Sequence, residues 1–183
     1  MATNTTPTVR QLQSTLYAKA KQAKEVQVYA LSAKVWREDV LWEAWQQGQA
    51  HKGAPGVDGP SLEAIVVGGQ EREMSRRGHA PLRAETSRCQ PVRRVELPKP
   101  TGGTGPRGMA PVEDRVVQTA MQLVLAAIFA ADCPPCSYGY RPPRDANMAA
   151  LAITADLYDR AWGVVEIAFP SYLTPMPHAQ LMT

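Results

Sequence analysis

PVRRVELPKPTGGTGPRGMAPVEDRVVQTAMQLVLAAIFAAD, Pro91 to Asp132, changes its hydrophobic period part-way along, and that change decides the fold class. In PVRRVELPKP the candidate apolar positions of an extended segment are Val92, Val95 and Leu97, interrupted by the Arg93–Arg94 pair. TGGTGPRG (101–108) then reads as a turn, so a hairpin carrying Arg93, Arg94, Lys99 and Arg107 is expected. From Pro111 the pattern becomes helical. Proline suits a first helical position, and Glu113 and Asp114 complement the positive end of the helix dipole. Val116, Val117, Ala120, Met121, Val124, Ile128 and Phe129 form a broad apolar face, which predicts a core helix.

Working outward toward the N-terminus, residues 12–45 read as helical. Leu12, Leu16 and Ala20 share a face, as do Leu31, Val35 and Trp36, and then Val40, Ala44 and Trp45. Lysines and Arg37 lie among them and suit the solvated side of core-packing helices. KGAPGVDG (52–59) is a glycine-proline loop, and Ser61 can cap a short helix running to Val67. Residues 71–115 are basic, with ten Arg and Lys against six carboxylates. Cations on a hairpin can neutralise phosphates without reading bases. They equally suit a surface hairpin with no specific ligand, and composition leaves both readings open. Toward the C-terminus, SYGYRPPRDA (137–146) reads as a loop, residues 145–158 as a helix, and residues 163–167 as a buried strand.

A chain of 183 residues with 44% hydrophobic and 20% charged residues can build a sizeable core. The net charge of +3 is a weak pointer to a polyanionic partner. The N-terminal residues have no apolar leader pattern, and no apolar run reaches the length of a bilayer span, so a cytoplasmic protein without a membrane partner is expected. Cys89, Cys133 and Cys136 are read as free thiols. Cys133 and Cys136 form a lone CxxC without the further ligands zinc requires, so no metal site is expected there.

Several blocks, in order, resemble the N-terminal part of group II intron-encoded reverse transcriptases, the RNA-directed DNA polymerase/maturase proteins. KGAPGVDG is similar to the family's GVDG block, and PVRRVELPKPTGG to its fingers hairpin. PVEDRVVQTAMQLVLAAIF resembles the helix that follows, CSYGYRPPRDANMAAL the SYGFRP block, and VVEIAFPSYLTPMPHAQLM the first palm strand. The match runs from about Leu12 to Met182. No single block is specific, but their order and spacing are. The resemblance implies an α+β fold, reverse-transcriptase fingers with an incomplete palm and a helix-rich N-terminus. It divides the chain into a helical extension with the GVDG loop (1–60), the fingers (61–163) and the start of a truncated palm (164–183).

The resemblance also assigns roles. Members of the family hold two Mg²⁺ ions with palm carboxylates for nucleotidyl transfer. The first carboxylate position falls on Ala168, which cannot bind a metal, and a second aspartate position falls on Thr174. No catalytic residue, metal ligand or cofactor is therefore expected of this chain. Glu166 lies two residues from the metal position, at a different level of the expected strand. Lys99 matches a lysine that contacts the incoming nucleotide's triphosphate, and Arg93 an arginine of the same site. Another arginine position is Gly105, and Arg107 stands where the family has leucine, in a register expected to point it differently. Arg94, Arg107, Arg141 and Arg144 are the implied RNA contacts.

Two functional readings follow. One is a truncated, degenerate reverse transcriptase, inactive alone. The other is a non-catalytic RNA-binding remnant with a maturase-like role, with RNA the expected partner and DNA an alternative. Oligomeric state is left open. A palm sheet without its partner strands is expected to expose apolar surface.

Overall fold

The computed structural model describes residues 5–22, 31–50, 54–59, 62–84, 86–100, 102–141, 144–159 and 163–168, the side chains of 74–78 excepted. Helix α1 (Pro7–Gln22) is followed by α2 (Leu31–Val35), α3 (Glu38–Ala50), α4 (Leu62–Val67) and α5 (Glu71–Arg83). Strands β1 (Arg93–Pro98) and β2 (Thr104–Met109) lead into α6 (Val112–Asp132), and α7 (Ala146–Asp159) completes the order. The predicted helices at both ends and the hairpin are present. Helix α5 departs from the sequence reading. It is predominantly polar and contains Pro81, and the sequence reading placed no helix there.

The chain divides into two units, residues 1–137 with 141–143 and residues 138–140 with 144–183. In the first unit α6 is the central element, packing on α1, α2, α3 and α5. Its Val112, Val116, Ala120 and Val124 recur every fourth residue and are buried with Leu123. They meet Val9 and Leu16 of α1, Val40, Leu41, Ala44 and Trp45 of α3, and Leu62 and Ile65 of α4 in one cluster. Met121 and Phe129, placed on the core face by the sequence pattern, are exposed. By length and composition α6 also suffices to cross a membrane, contrary to the sequence expectation; a core helix meets the same criterion.

Long-range polar contacts set the helix ends. Glu43 is buried on α3, where its carboxylate accepts hydrogen bonds from Thr6 N (2.9 Å), just before α1, and from Gln47 Nε2 (3.0 Å). Helix α6 begins after Pro111, which offers no capping side chain. Asp58 supplies the cap from the GVDG loop, its Oδ2 accepting from Val112 N at 2.8 Å. Gly56 of the same loop lies against the backbone of Ala110 and Pro111, so close that a β-carbon at 56 would sit 2.7 Å from Pro111 Cα. Thus the loop's glycine and aspartate together dock the start of α6.

In the second unit, α7 buries none of its residues. Asp145 Oδ1 caps it, accepting from Met148 N at 2.8 Å. The strand predicted at 163–167 is absent. Residues 163–168 have no ladder partner among the described residues, and Val164, Val165 and Ile167 are exposed. The apolar run has the composition of a buried strand, but a strand needs a neighbour to pair its backbone. Among the described residues the β1–β2 hairpin is the sheet.

Candidate nucleic-acid interface

The hairpin is antiparallel, with Arg93 opposite Met109, Val95 opposite Arg107, and Leu97 opposite Gly105. Side chains alternate along a strand, and directly opposed residues share a face. One face therefore carries Arg93, Val95, Leu97, Gly105, Arg107 and Met109. The other carries Arg94, Glu96, Pro98, Thr104, Pro106 and Gly108. The sequence read 101–108 as a turn, whereas β2 already begins at Thr104. Lys99 O accepts from Gly102 N, and Lys99 N donates to Gly103 O, each at 3.0 Å. Gly102 and Gly103 have φ of +89° and +80°, where a side chain is strained.

Lys99 folds back along the first face. Its Cε comes within 3.0 Å of the point a β-carbon on Gly105 would occupy. Arg93, Lys99 and Arg107 are thereby gathered on one side of the hairpin, all exposed. The expectation that Arg107 points away from position 105 is corrected: residues two apart in a regular strand face the same way. Among the described residues these three cations have no ion-pair partner. Arg94 is separated from them on the opposite face, where its Nε lies 2.8 Å from Glu96 Oε1.

The hairpin's base is tied to α6. Gln90 N donates to Asp114 Oδ2 at 3.0 Å, and Val92 packs against Gly108.

Arg141 is engaged inside its own unit. Its guanidinium donates to Ala130 O (3.1 Å), Pro134 O (2.9 Å) and Ser137 O (3.2 Å). A cation there satisfies carbonyls at the end of α6 and complements its dipole. Arg144 lies over the Tyr138 ring, 5.2 Å from its centroid. Neither observation relates these arginines to the hairpin.

Ala168 is exposed in the non-strand segment 163–168, with Glu166 exposed nearby, and Thr174 lies outside the described residues. Among the described residues no three His, Cys, Asp or Glu side chains converge as metal ligands. The described residues do not assemble the two-ion carboxylate site that the resemblance implies. Cys89, Cys133 and Cys136 are free thiols.

The sequence reading missed the buried Glu43 and gave Asp58 no role. Both act on residues far away in the chain, which local patterns do not reveal.

No protein-family model matches the chain. It is similar to protein YkfC of Escherichia coli strain K12, 30% identical over 186 aligned positions, covering 95% of this chain and 47% of that protein. It is also similar to an uncharacterised 91 kDa protein in the cob intron of Schizosaccharomyces pombe. That match is 26% identical over 134 residues and covers 72% of this chain but 16% of the relative. The chain thus resembles an intron-encoded protein and spans less than half the length of either relative.

Proposed function

We propose that this chain is a fingers-type element of the intron-encoded RNA-directed DNA polymerase lineage, binding RNA through the β1–β2 hairpin without itself adding nucleotides. The observation that carries the binding reading is the set of Arg93, Lys99 and Arg107 on one exposed face without carboxylate partners among the described residues. Cations so placed can follow a phosphate backbone, and phosphate contacts carry no sequence information. The lineage reading rests on the ordered sequence blocks and is supported by the relative in the cob intron. Ala168, at the position of a metal-binding carboxylate, supports the absence of catalysis.

The test is equilibrium binding of the full chain to a structured RNA and to a DNA duplex of equal length across a salt series. Affinity should fall with salt by roughly 0.7 log units per neutralised single-strand phosphate for each log unit of salt. Absence of binding at low salt would overturn the proposal, and tighter binding to the duplex would move the assignment from RNA to DNA.

A further inference from the structure

A second feature, independent of the hairpin, lies in the loop that follows α6. Among the described residues Tyr140 is the non-glycine residue with a positive φ, +54°, the others being Gly59, Gly69, Gly102 and Gly103. A residue with a β-carbon is disfavoured there, whereas glycine adopts that region at little cost. The side chain does not offset this cost. Tyr140 is fully exposed, at 106%, so its ring is buried against none of the described residues. Tyrosine at 140 therefore helps neither the local backbone nor the core. Residues held in such conformations gather at ligand-binding sites.

The chemistry of the same segment names the ligand. Tyr138, Tyr140 and Arg144 lie in YGYRPPR (138–144), which contains no carboxylate. The Arg144 guanidinium lies over the Tyr138 ring, 5.2 Å from its centroid, and so sets a cation beside aromatic surface. Aromatic rings interleaved with cations suit single-stranded nucleic acid. A base stacks on the ring, and the cation draws the phosphates.

We infer that Tyr140 is a stacking platform for one unpaired nucleobase, with Arg144 supplying positive charge for the strand that carries it. The inference rests on the nucleic-acid reading for its class of ligand, but on different residues and different observations. It adds contact with a base to a protein whose hairpin cations meet phosphate alone. Stacking tolerates any base, because every base has a π-face, so the platform selects unpaired over paired nucleotides and not one sequence over another.

Two strands of equal length and charge separate stacking from phosphate contact: an oligoadenylate and an abasic ribose-phosphate strand. Each is titrated against the full chain and its Tyr140→Gly and Tyr140→Phe variants. The parent should bind the oligoadenylate more tightly by roughly 5- to 150-fold, the range for one base–aromatic stack. Tyr140→Phe keeps the ring and should keep that preference. Tyr140→Gly should abolish it without changing the salt dependence, since no cation is removed. Its thermal midpoint should stay close to the parent's, because relief of the strained φ offsets the greater freedom of glycine in the unfolded chain. Equal binding of the two strands by the parent overturns the platform, leaves the hairpin reading standing and leaves the ring to a protein partner. Binding of neither strand at low salt overturns both readings. A glycine variant that keeps the preference, or one whose midpoint falls by several degrees, also overturns the platform: another residue stacks the base, or the ring supports the fold.

Discussion

Asp58 Oδ2 and Val112 N lie 2.8 Å apart, joining positions separated by 54 residues of chain. The bond caps a helix whose own preceding residue, Pro111, has no capping group. Asp58→Ala should therefore lower stability by ~1–2 kcal/mol, the range for loss of an N-terminal cap. Asp58→Asn should retain most of the stability, because an amide oxygen still accepts. Urea denaturation of both variants checks this. An alanine variant with the parent's midpoint would show that the loop does not cap α6.

Gly56→Ala should be more damaging than an alanine in an open loop. The added β-carbon would lie 2.7 Å from Pro111 Cα, 2.8 Å from Pro111 N and 2.9 Å from Ala110 C. All three are backbone atoms and cannot rotate aside. A cost of ~1–3 kcal/mol, typical of forced overpacking, is expected. The same substitution at Gly139, in a turn where a β-carbon meets nothing within 4 Å, is the thermal-melt control.

The faces of the hairpin should separate in binding. Replacing Arg93, Lys99 and Arg107 together with alanine should weaken RNA binding and reduce the salt slope by up to ~2 units, about 0.7 for each phosphate no longer neutralised. Arg94→Ala removes a cation already paired with Glu96 on the opposite face, so its effect on the slope should be small. Filter binding over a salt series measures both. An Arg94 variant as impaired as the triple variant would contradict the one-sided surface.

Primer extension on an RNA template with Mg²⁺ or Mn²⁺ should give no product above a protein-free control. Ala168→Asp should not restore it. Two-metal chemistry requires a set of converging carboxylates, and one added side chain does not build such a set. Extension by either protein would refute the non-catalytic reading.

Acid sensitivity should be traceable in part to Asp39. Burial works to raise its carboxyl pKa, but the hydrogen bond and charge of Arg37 outweigh it, holding the group below its ordinary value. The guanidinium meets both oxygens, at 2.9 and 2.7 Å. A depressed carboxylate contributes stability above its unfolded pKa of about 3.9 and loses it as pH falls through the lower folded value. Asp39→Asn should thus flatten the stability profile below about pH 4 while lowering stability at neutral pH by less than ~1 kcal/mol, since the pair is partly solvated. Denaturation at a series of pH values shows whether the two curves converge in acid.

Legibility in the sequence followed the range of the interactions. The hairpin was legible because Gly102 and Gly103 permit a turn there and the flanking segments have extended character. The core stripe of α6 was legible from Val116, Ala120 and Val124. The faces of the hairpin were harder to read, because the glycines and proline of β2 resemble a turn and conceal its alternation. Helix α5 was missed because it is polar. It gains tertiary support instead, including Arg72 over the Trp42 ring, 5.9 Å from the centroid. The caps from Glu43 and Asp58 are products of tertiary placement, which no local window contains. Residues 163–167 misled in the opposite sense, since an apolar run is necessary for a buried strand but does not supply the neighbour.

Lys99 lying over Gly105 also bears on how this hairpin can change through descent. The lysine's Cε fills the space in which any larger residue at 105 must begin. An arginine arriving at 105 would first have to displace the lysine before adding charge of its own. The same arginine introduced after loss of Lys99 would meet open space. The benefit of either substitution therefore depends on which came first. The two positions are thereby coupled, and the effect of an arginine at 105 becomes conditional on a partner six residues away.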